Sequence, residues 1–97
     1  MHGIYELADS LKTNKTLLSL NLSNNQMDQK CGELFREALA NNHSLIDFDY
    51  SNNKYISLED SRAIQEYLRR NKAEYDAERL KEWRERKNMR TEDEGLK

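Results

Sequence analysis

Proline is absent from the 97 residues, cysteine occurs once, and the glycines, Gly3, Gly32 and Gly95, lie far apart. With Cys31 alone, no intrachain disulfide can form, and a reducing compartment fits best. Scattered glycines exclude a phosphate-cradling loop, which needs them clustered. Cys31, His2 and His43 are the whole stock of soft metal ligands, too few for a zinc site, and Glu92, Asp93 and Glu94 lack the glycine and spacing of a calcium loop. Long apolar runs are missing too: Leu17 with Leu18, or Leu45 with Ile46, falls far short of the roughly 20 residues of a membrane span. The start, Met1 to Ile4, runs into an acidic segment without the basic residues and apolar stretch of a signal peptide. Nor does charge of one sign prevail. The 16 basic and 18 acidic side chains leave a net charge of -2, with no field to steer the chain toward phosphate backbones or an anionic bilayer.

What is present is a lean, charged composition, 36% apolar and 35% charged, in a chain too short for a large core of its own. The apolar residues follow a repeat. Aligning residues 17–25 with 45–53 sets Leu17, Leu20 and Leu22 on Leu45, Phe48 and Tyr50, and Ser-Asn-Asn on itself. Leu11 then falls on Leu39, Asn14 on Asn42, and Met27 on Tyr55. Leu20 to Leu22 and Phe48 to Tyr50 alternate with the period of a half-buried strand. The asparagines after them suit a bend, and Asn25 and Asn53 are expected to point inward, one above the other. From Asp28, a candidate cap, the period becomes helical, with Cys31, Leu34, Phe35, Ala38 and Leu39 on one stripe. Gly32 lets the start of that helix pass close to the strand layer. Leu58, Ala63, Ile64, Tyr67 and Leu68 repeat the stripe after a cap at Ser57 or Glu59 with Asp60, and Ile4, Leu7, Ala8 and Leu11 form the end of an earlier one. The chain therefore reads as beginning partway through a repeat, its first apolar edge uncapped.

These residues resemble the leucine-rich repeat family, and within it the ribonuclease-inhibitor-like subclass. The consensus L-x-x-L-x-L-x-x-N is matched by Leu17, Leu20, Leu22 and Asn25, and again by Leu45, Phe48, Tyr50 and Asn53. Gly32 matches the family's glycine near the helix start, where the next unit has Ser61. The resemblance implies an α/β fold: a short right-handed leucine-rich repeat solenoid, parallel strands inside and helices outside, followed by a long charged C-terminal helix. Repeats occupy 1–71 (a partial unit over 1–16, then 17–44 and 45–71), and 72–97 form a charged helix or cap with a frayed end. The family implies a protein-binding scaffold whose repeat residues are not catalytic, and the residues present call for no metal or cofactor. A broader likeness, to the leucine-rich proteins of cilia and flagella, implies a subunit of a larger assembly such as the ciliary axoneme, in a cytoplasmic or cytoskeletal setting.

Residues 72–97 hold acids and bases in equal number, with opposite charges three or four apart, as in Glu82 with Arg86 and Lys81 with Glu85. Tyr75, Leu80, Trp83 and Met89 keep no heptad, which excludes a self-sufficient coiled coil. Two readings remain open: Tyr75 and Leu80 fold back over the end of the last repeat, or Trp83 anchors a partner.

The candidate binding residues are accordingly the wet strand positions Ser19, Asn21, Ser23, Asp47, Asp49 and Ser51, together with Trp83, Arg84, Arg86 and Arg90. An alternative is that the helix, through Arg69, Arg70, Arg79, Lys81, Lys87 and their neighbours, grips nucleic acid or tubulin, though interleaved acids blunt its field. Catalysis finds little support. Cys31 starts a helix and His43 lies past its end, roughly 15 Å away at 1.5 Å per residue.

Overall fold

The computed structural model of the chain describes residues 2–53 and 55–95, with side chains described over 3–53 and 55–87. Its elements are α1 (His2–Leu11), β1 (Ser19–Asn21), α2 (Gln29–Ala40), β2 (Asp47–Asp49) and α3 (Leu58–Gly95). The helices lie side by side with α2 in the middle, packed against both α1 and α3. Cys31, Phe35, Ala38 and Leu39 of α2 are buried at helical spacing, and Ala8 and Leu11 of α1 and Ile64 and Leu68 of α3 close on them. Met27, Leu45 and Phe48 complete the core from the strand side, with Phe48 tilted against Phe35 at 4.9 Å between ring centres.

The starts of the helices follow from side-chain chemistry. Asp28 caps α2, its Oδ1 accepting the N–H of Cys31 at 2.9 Å while Oδ2 accepts the Tyr5 hydroxyl at 2.8 Å. The cap holds the Asp28 carboxyl below its ordinary range, chiefly through the Cys31 N–H bond. Ser57 caps α3, its hydroxyl accepting the N–H of Asp60 at 3.0 Å. Asp60 is itself buried and paired with Arg36 of α2 at 3.1 Å. Gly32 makes room for this junction: a Cβ there would stand 3.3 Å from Ile56 and 3.5 Å from Asp60, so its close approach is to the start of α3.

The strands pair in parallel, Ser19 with Asp47, Leu20 with Phe48 and Asn21 with Asp49. After each strand the first asparagine takes a left-handed turn, Asn24 and Asn52 both at φ 59°, which asparagine tolerates better than most residues. The second asparagine has a different fate in each copy. Asn53 Oδ1 accepts the N–H groups of Asn25 and Met27 at 3.0 and 2.9 Å, and its Nδ2 donates to the carbonyls of Leu22 and Tyr50. Asn25 has no earlier turn to clasp. It is exposed and its side-chain amide donates to the Ser23 carbonyl at 2.9 Å, so the inward-pointing pair expected from the sequence is reduced to Asn53.

A second asparagine series holds the other end of the helices. Asn42 is buried, with Nδ2 donating to the carbonyls of Leu11 and Asn14 and Oδ1 accepting the N–H groups of Ser44 and Leu45. Asn71, also buried, donates to the carbonyls of Asn42 and Leu45. Its Oδ1 does not start a turn, because the Arg70 guanidinium occupies it at 3.0 Å while also donating to the carbonyls of Leu39 and Asn42. With that oxygen taken and Lys72, Ala73 and Glu74 all suited to helix, α3 runs on without a break.

This corrects the expected fold class. The molecule is a bundle of three helices with one small open sheet of two three-residue strands, not a repeating leucine-rich solenoid. The physical reason lies in the balance of elements: the 28-residue spacing sets only one pair of three-residue strands, while three helices packed side by side supply most of the core. The 38 residues of α3 account for the elongated dimensions, 63 × 23 × 21 Å, and for a radius of gyration of 18.0 Å, against about 13 Å for a globular chain of this length.

Candidate protein-binding surfaces

The strand residues singled out from the sequence stand together on the wet face of the sheet. Ser19, Asn21, Asp47, Asp49 and Ser51 are exposed and Ser23 is half-buried. Several are occupied with their own chain. Asn21 Oδ1 accepts the N–H and hydroxyl of Ser23 at 3.0 and 2.8 Å, and Asp49 Oδ1 accepts those of Ser51 at 3.0 and 2.7 Å. The Ser51 N–H, foremost, holds the Asp49 carboxyl below its ordinary range. Ser19, Asp47 and the second oxygen of Asp49 are left to meet a partner.

Beside this face runs a groove of about 880 Å³ that the sequence did not reveal. One wall is formed by the strands, the other by Gln65, Leu68, Arg69, Lys72, Ala73 and Asp76 of α3. A smaller groove of about 380 Å³ continues it along β2 to Ser51, Asn53 and Ser61, and both share Phe48, Asp49 and Gln65.

Past Asn71, α3 projects from the body. Trp83 is 56% exposed and Leu80 46%, so Leu80 does not fold back as a cap, and only Tyr75 stays half-covered by the turn that carries His43. The charges that alternate along the sequence separate on the helix. At 100° per residue, Arg69, Lys72, Arg79, Arg86 and Lys87 fall on the side of Trp83, with Asp76 the acid among them and paired with Lys72 at 3.2 Å. Glu74, Glu78 and Glu85 fall on the opposite side, with Lys81 the base among them, and Glu82 lies about 100° from Trp83. Lys87 lies over the Trp83 ring at 4.8 Å, and Arg79 over Tyr75 at 5.1 Å. Of the predicted helix residues, Arg86 shares this stripe with Trp83, and Arg84 is turned about 100° from it by its place in the sequence. The side chain of Arg90 lies outside the described residues. Arg79 and Lys87 belong on the stripe; their spacing of four either side of Trp83 was the signal for them.

Nothing among the described residues assembles catalytic chemistry. Cys31 is buried, and burial pushes its thiol pKa up, away from the nucleophilic form. His43 meets Glu74 at 3.0 Å on the surface, with no nucleophile alongside. No group of three or more histidine, cysteine or acidic side chains among the described residues could hold a metal, and no helix is long and apolar enough to cross a membrane.

No protein-family model matches the sequence, and no curated protein does. Among solved structures the chain is similar to one described as "Leiomodin-1 Actin-Binding Site 2 (ABS2)", with a TM-score of 0.64 and 23% identity over 87% of this chain. The chain spans 64% of that structure. These findings correct the resemblance drawn from the consensus residues: membership of the leucine-rich repeat family and its ribonuclease-inhibitor-like subclass is not supported, and the likeness is to the fold of an actin-binding module. The ciliary likeness falls with it, since nothing in that match concerns cilia.

Proposed function

We propose that the chain is a non-catalytic protein-binding module of a cytoskeletal assembly, docking on a filament surface through the projecting part of α3. The observation that carries this reading is the partial separation of charge on that helix, which leaves Trp83 exposed among Arg79, Arg86 and Lys87. A rigid aromatic among cations is the composition of an interface hot spot, and its chemistry calls for an acidic, apolar-centred patch on the partner. Likeness in fold to an actin-binding site supports an actin filament as that partner, and a cytoplasmic, cytoskeletal setting with it.

Co-sedimentation with actin filaments tests the proposal. The chain is expected to pellet with filaments, and Trp83→Ala to weaken binding by at least tenfold while its melting temperature stays unchanged. Loss of melting temperature with full binding would assign Trp83 to the fold, and failure to pellet would remove actin. The basic stripe also supports a second reading, a helix gripping nucleic acid. That reading requires affinity for RNA falling steeply with salt.

A further inference from the structure

The free edge of the sheet offers a binding surface of another kind, independent of Trp83. The bonds from Asp47 N–H to the Leu18 carbonyl, from Leu22 N–H to the Asp49 carbonyl and from Asn24 N–H to the Ser51 carbonyl show that Asp47, Asp49 and Ser51 turn their backbone groups toward β1. Consecutive peptide groups of an extended strand face opposite edges, so the N–H and carbonyl of Phe48, between them, face outward. Phe48 is only 5% exposed and lines both grooves along β2, so these polar groups face the cleft between the strand and α3. Such an edge is a template for one more strand.

The walls specify what that strand carries. On the wet face stand Asp47, with no ion pair among the described residues, and Asp49. On the helix side stand Leu68, Ala73 and Arg69, which has no ion pair among the described residues either. We infer that β2 receives an extended segment of a partner protein as a third strand, with basic side chains on its outer face beside Asp47 and Asp49. Its inner face carries apolar side chains and a carboxylate for Arg69. A second copy of this chain fits less well, because Gln65, Arg69, Lys72 and Asp76 give α3 a polar outer wall that the apolar side of α1 would not complement.

The test uses the full chain and the blocked peptide Thr-Val-Lys-Val-Lys-Glu, with Thr-Val-Glu-Val-Glu-Lys as its charge-reversed control, followed by amide NMR and fluorescence anisotropy. The first peptide is expected to move the Phe48 amide resonance and to bind about tenfold more tightly than the control. N-methylation of its valines should abolish binding. Arg69→Glu is expected to remove the preference, and Trp83→Ala to leave it intact, which separates this site from the filament-binding surface. Equal binding of both peptides, undiminished binding of the methylated one, shifts confined to residues 79–87, or no binding at all would overturn the inference.

Discussion

The two halves of α3 belong to the same helix and are held in different ways. Before residue 72, Asp60, Ile64, Leu68 and Asn71 are buried and tied to α2 and its turns by Arg36, Arg70 and the asparagine carbonyl contacts. Within residues 72–87 nothing is buried, and Tyr75 alone is half-covered. Tertiary contact fixes the first half. Local propensity carries the second, helped by single contacts such as Lys72 with Asp76 and His43 with Glu74. Each exposed pair at helical spacing contributes only about 0.2–0.5 kcal/mol. The spacing of Lys81 with Glu85 and of Glu82 with Arg86 would allow pairs, yet neither pair is formed among the described residues. The comparison teaches that the half which contributes least to folding has the most surface to offer.

The sharpest way to break that contrast is at Phe35, fully buried where α2 meets β2. Phe35→Ala is expected to destabilise the body by about 3–5 kcal/mol, read as a lower urea midpoint. Asn42→Ala should come next, at about 2–3 kcal/mol, because it strands the carbonyls of Leu11 and Asn14 and the N–H groups of Ser44 and Leu45 at once. A cost as small as that of an exposed asparagine would show that water replaces these bonds freely. The mildest change sharpens the other side. Ala77→Gly, on the exposed helix, is expected to cost about 1 kcal/mol locally and to lower amide-exchange protection over 78–87, with the urea midpoint of the body unmoved.

Much of the local structure was legible. The alternation at Leu20 and Phe48, the cap at Asp28 and the buried stripe of α2 follow from residue period and type, which act over a few positions. The roles of the asparagines were harder to read. Asn25 and Asn53 sit in the same motif, but Asn53 clasps the turn before it while the Asn25 side chain bonds within its own turn, a difference that the shared motif does not show. Asn42 and Asn71 look like ordinary polar residues of a return turn, yet both are buried because they serve carbonyls from a different segment. The stripe around Trp83 was hidden because acids and bases alternate along the chain and part only when wound on a helix. The groove escaped notice altogether, since its walls come from segments about twenty to fifty residues apart.

Residue order by itself determined where helices and strands start, which faces they bury, and that no disulfide within the chain takes part in holding them, because these depend on neighbours within a turn or two and on composition. Residue order also placed a helix after residue 71; how that junction is held was decided in three dimensions. Arg70 reaches back to the end of α2 and takes the oxygen of Asn71, and α3 continues as a helix where a strand could have followed. Those contacts join positions some thirty residues apart, which no local spacing encodes, and they fix the junction between the free edge of β2 and the exposed helix that now carry the surfaces for binding.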